Sequence, residues 1–234
     1  KNAGVRMKTK EVKSILKNNT AVVVMVSEDT LSGTLVESQY SVYGNGMVNV
    51  RQTIIIADSI LTEIPRIGMK FILPGDYNYV EWFGRGPHES YWDRKTSAAI
   101  DYYKGIVWEQ TYQYVRPQET GNKTDVHWMA LSNGNTGILA KGQPTFDASV
   151  HQYPYSDLDY LPKSQRHGKL DLNPKAVVNW LIDYKQMGVG GDDSWGAKPL
   201  KKYSLFPGKY NYSFTLIPFK DGEDLNEISK KKIK

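Results

Sequence analysis

Apolar and polar positions along this chain alternate over short runs, and they seldom recur at the three-to-four spacing of an amphipathic helix. Thr20–Ser27 carries Ala-Val-Val-Val-Met-Val, a β-branched run of buried character, and Lys10–Lys17 before it is a shorter strand candidate. Thr34–Tyr43 alternates, Tyr43-Gly44-Asn45-Gly46 reads as a turn, and Met47–Ile56 alternates again, which predicts a hairpin. Ile67–Leu73 and Tyr77–Phe83 flank Pro74-Gly75-Asp76 and are expected to pair with each other. Val126–Leu131 and Thr136–Ala140 flank Ser132-Asn133-Gly134-Asn135 as another hairpin, and Phe146–His151, Val177–Tyr184 and Tyr210–Pro218 add further strands. Gly84–Arg94 reads as loop. Thr96–Tyr103 fits either a turn of helix or an extended run, and Pro154–Tyr160 fits a helical turn with Ser156 as its cap. About a dozen strands with turn signals between them predict an all-β sandwich or barrel spanning residues 1–219. The remainder, 220–234, is charged, lacks turn or strand signals, and is expected to fray.

Composition supports a globular chain without deciding its purpose. Of 234 residues, 40% are hydrophobic and 24% charged, enough to bury a large core. Tyr and Trp are abundant, 16 and 6 against 6 Phe, and both pair an apolar face with a polar edge, which suits wide sheets and sugar-facing surfaces. The net charge of +5 is carried largely by the ends, with Lys1, Lys8, Lys10, Lys13 and Lys17 near the start and Lys230, Lys231, Lys232 and Lys234 near the finish. No basic stripe with interleaved aromatics lies between, which argues against a nucleic-acid partner. No apolar run approaches the ~20 residues of a membrane-spanning helix, and Lys1–Lys17 lacks the apolar centre of a signal peptide. The absence of cysteine excludes disulfides, thiolate metal sites and cysteine nucleophiles, and leaves the compartment open.

One stretch stands out chemically: Met187-Gly188-Val189-Gly190-Gly191-Asp192-Asp193-Ser194-Trp195. Its three glycines permit backbone angles closed to other residues, so the loop can fold tightly and present the carboxylates, hydroxyl and indole beyond them. The indole of Trp195 serves either as a wall for a flat-faced sugar or as a plug in the core, and the residues alone favour the plug. Asp192 and Asp193 can bind a hard cation, though capping of backbone amides is the commoner use of loop carboxylates. Glu81, Glu89 and Asp93 lie beside Trp82, Tyr91 and Trp92, but a glycosidase needs two carboxyls at a set separation, and spacing along the chain does not supply one. Asn226-Glu227 has the look of an acid/base pair yet sits in the charged tail, without a scaffold to hold it. His88, His127, His151 and His167 show no zinc-site spacing.

Three segments together change the picture. They are Val80-Glu81-Trp82-Phe83-Gly84-Arg85-Gly86-Pro87-His88-Glu89-Ser90-Tyr91-Trp92-Asp93-Arg94, then Tyr114-Val115-Arg116-Pro117-Gln118-Glu119-Thr120-Gly121-Asn122-Lys123-Thr124-Asp125-Val126-His127-Trp128, then Met187–Trp195. In this order they resemble the C-terminal domain, or small chain, of the large β-galactosidases of glycoside hydrolase family 2, over about Lys1 to Phe219. Lys123 and His127 depart from arginines the family often shows. A Trp-Arg-Ala-Pro-Thr-Asp-Asn-Asp-like entry segment is missing, and Lys1-Asn2-Ala3-Gly4 resembles the sequence just after it, so the chain is expected to be a piece of a larger enzyme.

The resemblance implies a large β-supersandwich related to the galactose-mutarotase fold. It places the catalytic glutamates, with Mg and Na sites beside them, in a separate (β/α)-barrel domain, and implies neither catalytic residue nor cofactor in this chain. It also implies that Trp195, supported by Gly190, Gly191, Asp192, Asp193 and Ser194, is an aromatic wall for a β-galactoside held jointly with the other domains. Two rivals stand beside this expectation: a mutarotase-like aldose epimerase, and a carbohydrate-binding module that works alone.

Overall fold

Eleven antiparallel strands account for most of the described residues in the computed structural model, which are 6–57, 63–115, 118–158, 172–193 and 196–232. They are β1 (Met7–Lys17), β2 (Thr20–Asp29), β3 (Leu35–Val42), β4 (Val48–Ile56), β5 (Arg66–Pro74), β6 (Tyr79–Gly86), β7 (Ala99–Ile106), β8 (Lys123–Ser132), β9 (Thr136–His151), β10 (Val177–Gln186) and β11 (Gly208–Lys220). The main path runs β1-β2-β3-β4-β11-β9-β8-β6-β7, while β10 pairs with both β5 and β9. The all-β expectation holds, and Thr96–Tyr103 resolves as strand, since Ala99–Ile106 pairs with β6 along its length. Tyr155–Leu158 forms a single 3-10 turn, with Ser156 inside it rather than ahead of it.

The sheet doubles over because β9 serves two layers. Its first part pairs with β11 from Thr136 to Gly142, and its last part, Asp147–His151, pairs with β10. Between them the chain turns so tightly that a Cβ on Gly142 would sit 2.7 Å from the Thr145 Cα. Strands β5 and β10 thereby lie over β11 and β4. The Phe71 ring meets Trp180 at 6.3 Å and Phe214 at 6.0 Å, and Val50, Ile54, Val80, Trp82 and Ile182 complete the buried layer. This is the sandwich core, and sequence alternation built it, since residues at every second position of β4 and β11 point the same way.

Two expectations need correcting. Strand β5 does not pair with β6 across Pro74-Gly75-Asp76; its partner is β10, with Phe71 opposite Trp180. The turn is real, but Gly75 donates its N–H to Ala176 (3.0 Å), beside the β10 approach, and Asn78 accepts from Val107 (2.8 Å), so β5 and β6 diverge into separate layers. The tail does not fray. Asp224 caps a short helix, α1 (Leu225–Lys230), accepting from the N–H groups of Asn226 and Glu227, and Leu225 and Ile228 are buried against Met47, Trp128, Leu139 and Phe219. That second cluster covers the outer face of the main sheet. Two apolar positions three apart were enough to dock six residues, at roughly 1.5–3 kcal/mol for each side chain fully buried.

Candidate functional site

The site is built outward from a two-residue turn. Tyr91 and Arg94 exchange backbone hydrogen bonds of 3.0 and 2.9 Å, closing a loop whose tip is Trp92-Asp93. The Tyr91 ring is fully buried, and the Arg94 guanidinium stacks over it at 5.2 Å. Trp92 is held between the Lys185 ammonium, 5.3 Å from its ring, and the edge of Tyr203 at 6.0 Å. These contacts fix where the Asp93 carboxylate points.

That carboxylate grips the glycine loop. Its Oδ1 accepts the Val189 N–H at 3.1 Å and its Oδ2 the Gly190 N–H at 2.7 Å. Gly188 donates to the Tyr203 carbonyl (2.8 Å), and Met187 to that of Pro65 (3.0 Å). Downstream, Asp193 accepts the Ala197 N–H at 3.3 Å, and Lys198 pairs with Glu63 at 2.8 Å. The loop is therefore pinned at its root while Gly190, Gly191, Asp192 and Asp193 face solvent. Ser194 and Trp195 lie outside the described residues.

The loop glycines answer to space rather than to backbone angle. Gly188, Gly190 and Gly191 do not take positive φ, whereas Gly196 does, at 111°. A Cβ on Gly188 would lie 2.6 Å from Asp93 Oδ2, on Gly190 3.0 Å from the same oxygen, and on Gly191 2.2 Å from the Ala197 carbonyl oxygen. The expectation of tight folding is met for a different physical reason: bare backbone is what lets the carboxylate come close.

The second long segment folds onto the first through Glu89. Its Oε1 accepts from Arg94 at 2.5 Å and from the Tyr114 hydroxyl, and its Oε2 accepts the Gly121 N–H at 2.8 Å and the Thr120 hydroxyl at 3.3 Å. Next to it, Ser90 bonds Thr124 (2.9 Å), and the Asn122 amide donates to the Ser90 carbonyl (2.9 Å). Asp125 accepts from Arg85 at 2.6 Å and Lys95 at 2.7 Å. Lys123 is buried with its ammonium 5.2 Å from the Trp82 ring, and burial pulls its pKa down to about 8. His127 stays on the surface against Phe83, at 5.2 Å, and His88 bonds the Glu89 carbonyl at 2.7 Å.

Glu81 and Glu89 do not form a shared carboxylate site. Glu81 lines a cavity of about 340 Å³ with Asp221 and the tail, and burial raises its pKa, while Glu89 is consumed by the four donors just named. Asn226 and Glu227 belong to exposed turns of α1.

Sequence reasoning passed over a buried ionic cluster beneath the site. Arg66 reaches Glu119 (2.8 Å), Gln186 (2.7 Å), Asp183 (3.3 Å) and the Tyr155 hydroxyl (3.3 Å). The pKa of Asp183, fully buried, is raised to about 8 by burial despite Arg66; that of Asp147, also buried, is raised to about 6; and that of His151, bonded through Nε2 to the Thr120 carbonyl, is lowered by burial to about 3. The available signal was Asp183 itself, a carboxylate within the apolar run Trp180-Leu181-Ile182.

A model of the β-galactosidase small-chain family matches residues 1–216. The β-galactosidase of Priestia megaterium is 42% identical over 181 residues, covering 76% of this chain and 17% of that protein. That of Halalkalibacterium halodurans is 34% identical over 170 residues, covering 71% of this chain and 16% of that protein. The chain thus spans about a sixth of the length of these curated relatives. Among solved structures, a galactose 1-epimerase from Lactobacillus acidophilus is similar at 7% identity and a TM-score of 0.48, covering 90% of this chain and 66% of that one. With its three long segments joined around Glu89 and Asp93, and the family match running through nearly its whole length, this chain belongs to the β-galactosidase small-chain family.

Proposed function

We propose that this chain is a non-catalytic domain of a retaining β-galactosidase of glycoside hydrolase family 2, completing a substrate pocket whose catalytic glutamates, with Mg and Na, belong to a separate barrel domain. The observation that carries this reading is the glycine loop, rooted by Asp93 and Tyr203 yet solvent-facing from Gly190 to Asp193. A loop of that build suits Ser194 and Trp195 to serve, at low entropic cost, as a wall for the sugar of a β-galactoside, its leaving-group part above all. Family membership and the small share of each relative that the match covers, 17% and 16%, support the presence of partner domains.

The purified chain is expected not to turn over a chromogenic β-galactoside; measurable, saturable hydrolysis by it sinks the non-catalytic reading. In a full-length β-galactosidase carrying this chain as its small-chain domain, Trp195→Ala is expected to raise KM for lactose by roughly tenfold, the scale of losing an aromatic anchor.

A further inference from the structure

We infer that Asp93 is the positioning residue of the substrate wall: its carboxylate sets the place of the loop from Gly188 to Asp193, which leads to Trp195, and thereby the affinity for the leaving-group sugar. The inference rests on the proposed role of Trp195 and adds the device that aims it. Three independent features of the structure lead to it.

First, the contact is two-pronged. Each oxygen of Asp93 takes a different backbone N–H, from Val189 at 3.1 Å and from Gly190 at 2.7 Å, so the loop is fixed in rotation as well as position. A single acceptor leaves a hinge, and a paired one does not. Second, the loop is cut to receive this carboxylate. A Cβ on Gly188 would clash with Asp93 Oδ2 at 2.6 Å and one on Gly190 would crowd it at 3.0 Å, and neither residue needs its glycine for a positive φ. Third, Asp93 stands on a base with little freedom of its own. The Tyr91–Arg94 turn is closed by two backbone bonds, Tyr91 is fully buried, and Trp92 is wedged against Lys185 and Tyr203. Tyr203 also accepts the Gly188 N–H, so one aromatic residue steadies both sides of the clamp.

The arrangement separates fixing the loop from touching the sugar. Asp93 spends both oxygens on backbone and acts only through what the loop displays. Removing it is therefore expected to weaken substrate binding without altering the chemical step, in contrast to a group that touches the reacting atoms.

Two measurements test this. In the chain itself, the Val189 and Gly190 amides are expected to exchange with solvent slowly, and at least roughly tenfold faster in Asp93→Ala, the scale of one lost charge-assisted bond. Asp93→Asn keeps one good acceptor and is expected to deprotect one of the two amides. Unchanged exchange in both variants overturns the clamp. In the full-length enzyme, Asp93→Ala is expected to raise KM for lactose by roughly tenfold with kcat within about twofold. Gly190→Ala, which crowds the same oxygen, is expected to reproduce that rise and to add little on top of Asp93→Ala. If Trp195→Ala raises KM and Asp93→Ala does not, the positioning role is wrong. If neither moves KM, both fall, and the fault lies in the reading of Trp195, because the amide measurement reports on the clamp separately.

Discussion

Asp183 shows how far burial can outweigh an ion pair at a single residue. It is fully buried, Arg66 lies 3.3 Å from one oxygen, and burial still raises its pKa to about 8, because Arg66 is shared with Glu119. A carboxyl whose folded value lies above its unfolded 3.8 holds its proton more tightly in the fold, so its contribution to stability is complete below about 4 and is lost as pH rises to about 8. Asp147 acts with the same sign up to about 6, and His151, lowered to about 3, acts with the opposite sign up to 6.5. Between pH 6.5 and 8 Asp183 therefore dominates these three groups. The melting midpoint is expected to fall across that window, and Asp183→Asn is expected to flatten the fall. A midpoint that rises in the unsubstituted chain contradicts the assignment.

Among elements, β5 and α1 carry the sharpest expectations. Gly68 on β5 packs so tightly on β10 that an added Cβ would lie 1.9 Å from Asp183 Oδ1 and 2.6 Å from its Cα. Gly68→Ala is expected to destabilise the fold by roughly 1–3 kcal/mol, read by chemical denaturation, with loss of the Arg66–Asp183 contact as the cause. For α1, Asp224→Ala is expected to cost about 1 kcal/mol through loss of the cap. Leu225→Ala and Ile228→Ala are expected to free the tail to proteolysis while leaving the main melting transition in place; a tail still resistant in the double variant argues against those two residues as its anchor. The alternating runs of β2, β3, β4 and β11 were legible because one face of each is buried and the other is not. The partner of β5 was not legible, since a short turn such as Pro74-Gly75-Asp76 fixes a change of direction and leaves open whether the next strand returns to the same layer.

At the scale of the molecule, the small-chain fold is a doubled sheet with one pinned, solvent-facing loop, and the expected inactivity of the chain alone follows from the role proposed for it. Sequence by itself determined the all-β class, the order of the three long segments and the family they belong to, because alternation and extended motifs are local properties of the chain. Only the tertiary structure decided that Asp93 meets Val189 and Gly190, that Glu89 binds Gly121, and that Leu225 and Ile228 dock the tail. The first of these pairings spans almost a hundred residues. A half-buried carboxylate in an ordinary sequence setting carries no mark of the amide it will accept until strand register and layer crossing bring the two together, and for that reason the loop could be read from the chain but its clamp could not.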